Sequence, residues 1–242
     1  MSAAQIHDLL EIDAERFLEA QSSAPGWVAE SLRRAPFVVV RRGLSRAEEG
    51  IAIGVRGAQR NERWAGGCRP DRVRRILTPP MLLSRLVTAS GPDPMTRPHR
   101  ASRPDPVTRP TASATRADVI PALRTLALLA KRWKDLDSAW GPGGSVGFEL
   151  ATGHHAASPQ SDLDVVIYAG SRMTQHEART LCESAQGLPA AVDIRVETPI
   201  CGFSLTEYAN RAPLPILLRF AHGTVLGTDP WADLGRTTAI SP

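Results

Sequence analysis

Short β-branched runs and one long amphipathic segment dominate the hydrophobic pattern of the chain. Residues 36–42 (PFVVVRR) and 50–57 (GIAIGVRG) predict two strands that form a hairpin or lie side by side. Apolar residues at helical spacing, with Pro121 near the start, predict an amphipathic helix over residues 116–133. The pattern therefore indicates a small α+β unit first and a helix that opens a second unit.

Two prolines interrupt the apolar pattern between these units, in residues 69–86 (RPDRVRRILTPPMLLSRL). The spacing predicts a short helix around Val73 and Ile76, because the Pro79–Pro80 pair would end it. A further helix is expected from Met81.

The second half of the chain alternates strand and helix patterns. Residues 162–169 (DLDVVIYA) and 190–198 (AAVDIRVET) predict strands, and residues 173–187 predict a helix closed by Gly187. Residues 213–227 supply a further apolar run.

A segment of different composition separates the two halves. Residues 90–115 are dense in Pro, Ser, Thr and Arg, and contain an imperfect repeat, DPMTRP and DPVTRP. Because proline removes backbone donors and disfavours helix before it, we expect a disordered or extended linker. The predicted organisation is an N-terminal α+β domain over residues 1–89, this linker, and a second domain over residues 116–242.

The net charge, the N-terminal sequence and the lengths of the apolar runs indicate a soluble protein but do not identify its function. The 29 Lys and Arg residues exceed the 25 Asp and Glu residues by a net charge of +4, which falls short of a nucleic-acid-coating composition. The start lacks a secretory pattern, and no run approaches eighteen apolar residues, so we expect a soluble cytoplasmic protein without a membrane partner. The three cysteines show no Cys-x-x-Cys spacing and indicate neither a disulfide framework nor a zinc site.

Two aspartates separated by one residue carry the candidate chemistry. Side chains alternate along a strand, so Asp162 and Asp164 are predicted to point the same way while Leu163 enters the core. Like charges this close need a neutralising cation, and oxygen ligands favour Mg²⁺, with Mn²⁺ as the alternative ion. Asp193 would add a third carboxylate if its strand lies beside the first. Three such acids could hold two metal ions for an in-line displacement at phosphorus.

A glycine-rich turn precedes these acids. Glycine lets the backbone approach a polyphosphate closely, and a turn that opens a helix presents free N–H groups to it. Gly143, Gly144 and Ser145 are therefore predicted to bind a triphosphate, ahead of a short helix (VGFELA) that Gly153 ends. The absence of a Gly-x-x-x-x-Gly-Lys-Ser/Thr motif argues against a P-loop hydrolase.

Gly144-Ser145, Asp162-x-Asp164 and a later strand aspartate together resemble the nucleotidyltransferase superfamily, although the second motif follows later than in most members. The sequences of several segments resemble a narrower family, the malonate decarboxylase holo-acyl carrier protein synthases, also called phosphoribosyl-dephospho-CoA transferases. The segments are GGSVGFELATG, SDLDVVI, VDIRVETP, PILLRFAHG, APFVVVRR and IAIGVRGAQRNERWAG.

This resemblance implies a fold, a reaction and a set of roles. The fold is α+β, with a nucleotidyltransferase-like mixed sheet and flanking helices plus the small N-terminal domain. The implied reaction moves phosphoribosyl-dephospho-CoA from triphosphoribosyl-dephospho-CoA to a serine of the apo acyl carrier subunit of malonate decarboxylase, and releases pyrophosphate. Asp162 and Asp164 match the catalytic, metal-binding aspartates, Gly144 and Ser145 match the triphosphate turn, and Asp193 matches the third carboxylate, which would also help to activate the acceptor hydroxyl.

Three arginines of the N-terminal part are further candidates. Arg56, Arg60 and Arg63 could meet phosphates of the donor or carboxylates of the carrier protein through the bidentate guanidinium group. A solvated basic face is the alternative explanation.

Other functions fit parts of the sequence. A nucleotidyltransferase that uses an ordinary nucleoside triphosphate would share the same fold and acids. A nucleic-acid-binding module would suit the basic balance, but the chain has no aromatic-basic motif or helix-turn-helix pattern, so no specific nucleic-acid partner is expected. A catalytically silent scaffold would not need the three acids.

Overall fold

Two β-sheets organise the protein in the computed structural model, which describes residues 4–21, 23–43, 50–57, 59, 61–89, 116–210 and 214–232. The chain is therefore an α+β protein, as the sequence predicts. The expected linker at residues 90–115 lies outside the described residues, so the three-part domain organisation stays a prediction.

The first sheet is antiparallel and has five strands. They are β1 (Leu9–Ile12), β2 (Phe37–Val40), β3 (Ile51–Arg56), β4 (Arg63–Cys68) and β5 (Val73–Leu77). Their order is β4-β3-β2-β1-β5, so the first strand of the chain lies between β2 and β5. Helices α1 (Ala14–Glu19) and α2 (Gly26–Arg34) connect β1 to β2, and α2 buries Val28 and Leu32 in the core of this unit.

The predicted pairing of β2 with β3 is confirmed, but the helix predicted around Val73 and Ile76 is wrong. These residues form β5, which pairs with β1 and places Ile76 opposite Leu10. Five residues are too few to distinguish the helical from the extended period, and a strand more than sixty residues earlier decides the outcome. The proline pair begins a helix instead, α3 (Pro79–Ala89), because proline fits the first helical turn.

The second sheet is mixed and has six strands. They are β6 (Ala139–Pro142), β7 (Leu163–Tyr168), β8 (Val192–Glu197), β9 (Gly202–Ser204), β10 (Ile216–Phe220) and β11 (Gly223–Gly227). Their order is β11-β10-β9-β8-β7-β6, and β7 and β8 are parallel while the other pairs are antiparallel. The helices of this unit are α4 (Arg116–Val119), α5 (Pro121–Arg132), α6 (Gly144–Thr152), α7 (Gln175–Ser184) and α8 (Leu205–Asn210).

Local signals explain the helices that the sequence predicts here. The segment 116–133 is helical, with a break at Ile120 because Pro121 begins α5. Thr174 and Glu177 form a reciprocal capping box that begins α7, and the left-handed Gly187 (φ 67°) follows its end. Among the described residues, no helix combines the length and the apolar character that crossing a bilayer requires.

The two faces of the second sheet have different chemistry. One face packs Leu163, Val165, Ile167, Ile194 and Val196 into the main core together with α5. On the opposite face, toward the first sheet, β7 and β8 carry a set of polar residues besides the buried Val166. These residues are Asp164 and Tyr168 on β7, and Asp193, Arg195 and Glu197 on β8.

Polar contacts join the first sheet to the far ends of β7 and β8. The Glu197 carboxylate pairs with Arg42 and lies 2.8 Å from Nε2 of His7, while the Tyr168 hydroxyl donates to the Ile6 carbonyl oxygen at 2.9 Å. Burial raises the pKa of the adjacent Asp8 carboxyl to about 6. These contacts cover the ends of both strands at Tyr168 and Glu197. The starts of the same strands, where the aspartates lie, stay partly exposed.

Candidate active site

Two carboxylates lie side by side at the starts of β7 and β8. The parallel register pairs Asp164 with Asp193, and the buried neighbours Leu163 and Ile194 place both acids on the polar face of the sheet. The sequence predicts this arrangement only if the two strands pair, and they do. Asp162 stands just before β7 and is exposed. The three acids therefore occupy one end of two neighbouring strands.

The charge environment of Asp164 reflects this crowding. Burial raises the pKa of Asp164, and the negative charge of Asp193 raises it further. Arg56 and Arg195 lower the same pKa, and Asp162 adds a smaller increase. Additional positive charge in the site would therefore stabilise the ionised form of Asp164.

The glycine-rich turn lies directly against Asp164. The Gly143 N–H donates to the Asp164 backbone oxygen at 2.9 Å, and Gly144 begins α6 in the left-handed region (φ 54°). A Cβ atom on Gly144 would lie 1.7 Å from Oδ2 of Asp164, so a side chain there would force the carboxylate or the turn to move. The N-terminal end of α6, which includes Ser145, thus borders Asp164.

Glu149 holds the loop that leads to Asp162, a role that the sequence reasoning missed. This buried carboxylate on α6 accepts two hydrogen bonds from Arg116, each 2.9 Å long. Its Oε2 atom also accepts the backbone N–H groups of Ala156 and Ala157 at 2.9 Å. The signal was a single acid in an otherwise apolar short helix, because a buried carboxylate requires partners.

Arg56 is the predicted N-terminal arginine that the structure brings to the acids. It ends β3 in the first sheet and acts electrostatically on Asp164. Arg63 lies directly opposite Arg56 in the pairing of β3 with β4. Arg60 lies outside the described residues.

Two further arginines of the second sheet approach the acids, and the sequence reasoning singled out neither. The Arg195 Nη2 atom is 3.1 Å from Oδ2 of Asp193, two residues earlier on β8. Arg219 on β10 has a buried Nη1 atom without a hydrogen-bond partner among the described residues. Burial lowers the pKa of Arg219 and the charge of Arg195 lowers it further, while Glu207, and to a smaller extent Asp193 and Glu197, oppose the change. The alternation of β8 would have placed Arg195 beside Asp193.

The acids do not form a complete metal cage. Within the described part of the chain, no group of three or more His, Cys, Asp or Glu side chains is arranged to hold a metal ion. Asp164 and Asp193 lie side by side, and Asp162 is close enough to affect the pKa of Asp164. The site therefore offers a few oxygen ligands, all at the starts of β7 and β8.

Comparisons with known proteins agree over nearly the whole chain. The family model for the phosphoribosyl-dephospho-CoA transferase MdcG C-terminal domain matches residues 111–230, and the model for the N-terminal domain matches residues 5–79. A phosphoribosyl-dephospho-CoA transferase of Pseudomonas putida (strain W619) is 33% identical over 231 residues, which cover 96% of this chain and 97% of that protein.

Two other proteins with the same name show similar agreement. The protein of Azotobacter vinelandii is 32% identical over 234 residues and 95% of both chains. The protein of Klebsiella pneumoniae (strain 342) is 32% identical over 230 residues, which are 95% of this chain and 97% of that one. No solved structure matches the chain.

Proposed function

Since this chain belongs to the phosphoribosyl-dephospho-CoA transferase family, we propose that it transfers phosphoribosyl-dephospho-CoA to a serine of an apo acyl carrier protein. The donor is triphosphoribosyl-dephospho-CoA, and pyrophosphate is the second product. The acceptor is the acyl carrier subunit of malonate decarboxylase. The acids at the starts of β7 and β8 are the centre of this reaction.

One observation carries the assignment of the site. Asp164 and Asp193 are neighbours in register on parallel strands, and the glycine-rich start of α6 touches Asp164. Carboxylates and a helix N-terminus with free N–H groups are the complementary halves of a site for a metal-bound polyphosphate. The mixed sheet, with acids on two adjacent strands beside this turn, supports a nucleotidyltransferase-like fold for the second unit.

The ligand set suits Mg²⁺ better than a metal that needs a complete protein cage. Mg²⁺ is commonly held by one or two carboxylates together with substrate phosphates, so an incomplete protein cage is the expected form of such a site. Asp162 and Asp164 would hold the ion, with Asp193 as the third ligand. When bound, Mg²⁺ supplies positive charge that neutralises the leaving pyrophosphate.

The residues of the chain have separate tasks in the proposed transfer. The N–H groups of Gly144 and Ser145 and the Ser145 hydroxyl hold the triphosphate. The acceptor serine oxygen bonds to the α-phosphorus as the bond from that phosphorus to the pyrophosphate oxygen breaks. Asp193 lies beside Asp164 and takes the proton of the serine hydroxyl, so its pairing with Arg195 must loosen during the reaction. Positioning and charge neutralisation account for most of the rate in this class of reaction.

The test is an intact-mass measurement of the acceptor. The protein is mixed with Mg²⁺, the apo acyl carrier subunit of malonate decarboxylase and triphosphoribosyl-dephospho-CoA, and parallel reactions contain ATP or another nucleoside triphosphate. We expect the carrier mass to rise by one phosphoribosyl-dephospho-CoA group only with the first donor. A mass gain with ATP, and none with triphosphoribosyl-dephospho-CoA, would replace the proposal with an ordinary nucleotidyltransferase.

A further inference from the structure

Arg195 and Arg219 lie on the sheet face that carries the aspartates. Arg195 follows Asp193 by two residues on β8 and so points to the same side. On β10, the neighbours Ile216 and Leu218 are buried in the main core, which leaves Arg219 on the opposite, polar face. Arg219 lies at the register of Glu197, and its guanidinium group interacts electrostatically with Arg195 and with Asp193.

On the polar face, the strand between them carries Gly202 and Ser204, and Ser204 is paired with Arg195. Arg219 is paired with Gly202 on β9, and Gly202 is paired in turn with Glu197 on β8. A Cβ atom on Gly202 would lie 2.6 Å from Oε1 of Glu197, so the glycine leaves space for that carboxylate above β9. Glu197 is already occupied by Arg42 and His7. It therefore attracts Arg219 without forming a hydrogen bond to its Nη1 atom.

The hydrogen bonding of these arginines is incomplete or weakly held. Nη1 of Arg219 is a buried donor with no hydrogen-bond partner in the part of the chain that the structure describes, and a buried donor left unpaired costs stability. Arg195 forms an ion pair with Asp193, and both side chains of that pair are about a third or more exposed (34% and 44%). Ion pairs with this exposure contribute little and exchange readily. Arg195 thus offers partly exposed guanidinium N–H groups, and Arg219 an unused donor, that an anion with several oxygens could engage.

We propose that Arg195 and Arg219 bind the part of the donor triphosphate that leaves as pyrophosphate, with Arg195 exchanging Asp193 for a phosphate oxygen. This inference rests on the proposed function. Guanidinium groups bind phosphate oxygens through paired N–H bonds, and two adjacent groups suit a dianionic or more highly charged chain. In the resting protein, the ion pair with Arg195 neutralises Asp193 until the donor arrives. The exchange frees Asp193 for the acceptor hydroxyl at the moment when the donor is in place.

Binding of inorganic pyrophosphate, measured by calorimetry in EDTA, tests this assignment. We expect Arg195→Met and Arg219→Met each to weaken pyrophosphate binding by about 10-fold, the effect of losing a charge-assisted contact. Arg124→Met is the matched control, because Arg124 is an exposed arginine of α5, on the other side of the same sheet, and should leave the affinity unchanged. If the Met variant at position 219 does not fold, Arg219→Lys replaces it, since lysine keeps the charge but loses the planar pair of donors.

If Arg195 exchanges Asp193 for a phosphate oxygen, removing the Asp193 charge should strengthen pyrophosphate binding rather than weaken it. Asp193→Asn releases Arg195 and should tighten pyrophosphate binding several-fold. Asp162→Asn removes one negative charge near the site without releasing Arg195, so it should change the pyrophosphate affinity less. Equal effects of the two substitutions, or normal binding by both arginine variants, would overturn the inference. Such results would leave the proposed function intact if the wild-type protein still modifies the carrier in the intact-mass assay. A wild-type protein that does not modify the carrier would refute the proposed function, whatever the pyrophosphate affinities.

Discussion

Replacing Gly144 with alanine tests whether the start of α6 positions Asp164. The added Cβ atom would lie 1.7 Å from Oδ2 and 2.6 Å from Cγ of Asp164. Ordinary contacts between these atom types are about 3.5 Å, so the carboxylate or the turn must move by about 1.5 to 2 Å. A misplacement of about 1 Å can reduce a rate about 100-fold, so we expect Gly144→Ala to lower kcat/KM by at least that factor.

The matched control is Gly153→Ala, at the other end of the same helix. Gly153 also has a positive φ (74°), but a Cβ atom there would meet no atom within 4 Å. Both substitutions carry the left-handed backbone penalty of about 1 to 2 kcal/mol, which corresponds to about 2 to 8 °C in Tm for a chain of this size. Only Gly144→Ala also displaces Asp164. The control should therefore lose stability and keep its rate.

The assay follows transfer to the carrier subunit by intact mass under single-turnover conditions, with Tm measured by circular dichroism. A normal rate for Gly144→Ala would show that the position of Asp164 does not limit the reaction. Equal rate losses for the two variants would show that the stability of α6, rather than contact with the carboxylate, is responsible.

Three further predictions concern Arg56 near the acids, the ion pair of Arg42 with Glu197, and the buried Asp8. Arg56→Met should raise the KM for the donor about 10-fold, because one charge-assisted contact is lost, while Arg124→Met should not; steady-state kinetics that show equal KM values would return Arg56 to a solvated basic face. Arg42→Met leaves the mostly buried Glu197 carboxylate with His7 alone and should lower the free energy of unfolding by about 3 kcal/mol in urea titrations, so an unchanged midpoint would contradict this role. Because burial raises the pKa of Asp8 from 3.8 to about 6, folding favours its protonated form, and its contribution to stability is complete below pH 3.8 and is lost as the pH rises through about 6. The wild-type protein should therefore gain Tm relative to Asp8→Asn as the pH is lowered from 7 to 4, and a constant difference would exclude the raised pKa.

Local sequence signals predicted the elements that carry the acids. The alternation around Asp164 and Asp193 identified β7 and β8, and the glycines identified the turn that begins α6. In each case, the side-chain period or a backbone requirement is contained within a few consecutive residues. The parallel pairing that brings the two acids together was a condition that the sequence alone could not test.

Long-range packing produced what the sequence did not predict. Residues around Val73 form a strand because β1 pairs with them, and this pairing overrides an ambiguous local pattern. The pairing of Arg42 with Glu197, and the burial of Nη1 of Arg219, depend on how the two sheets meet and on strand order. Neither feature follows from the spacing of hydrophobic residues within one segment, so neither could be predicted from this sequence alone.

The most direct test of the central claim is the rate of carrier modification by Asp164→Asn and Asp162→Asn, measured by intact mass with triphosphoribosyl-dephospho-CoA and Mg²⁺. If these carboxylates hold the metal at the leaving phosphates, each variant should be slower by at least about 100-fold, with an unchanged circular dichroism spectrum. Transfer at a near-normal rate by a correctly folded Asp164→Asn variant would contradict the account.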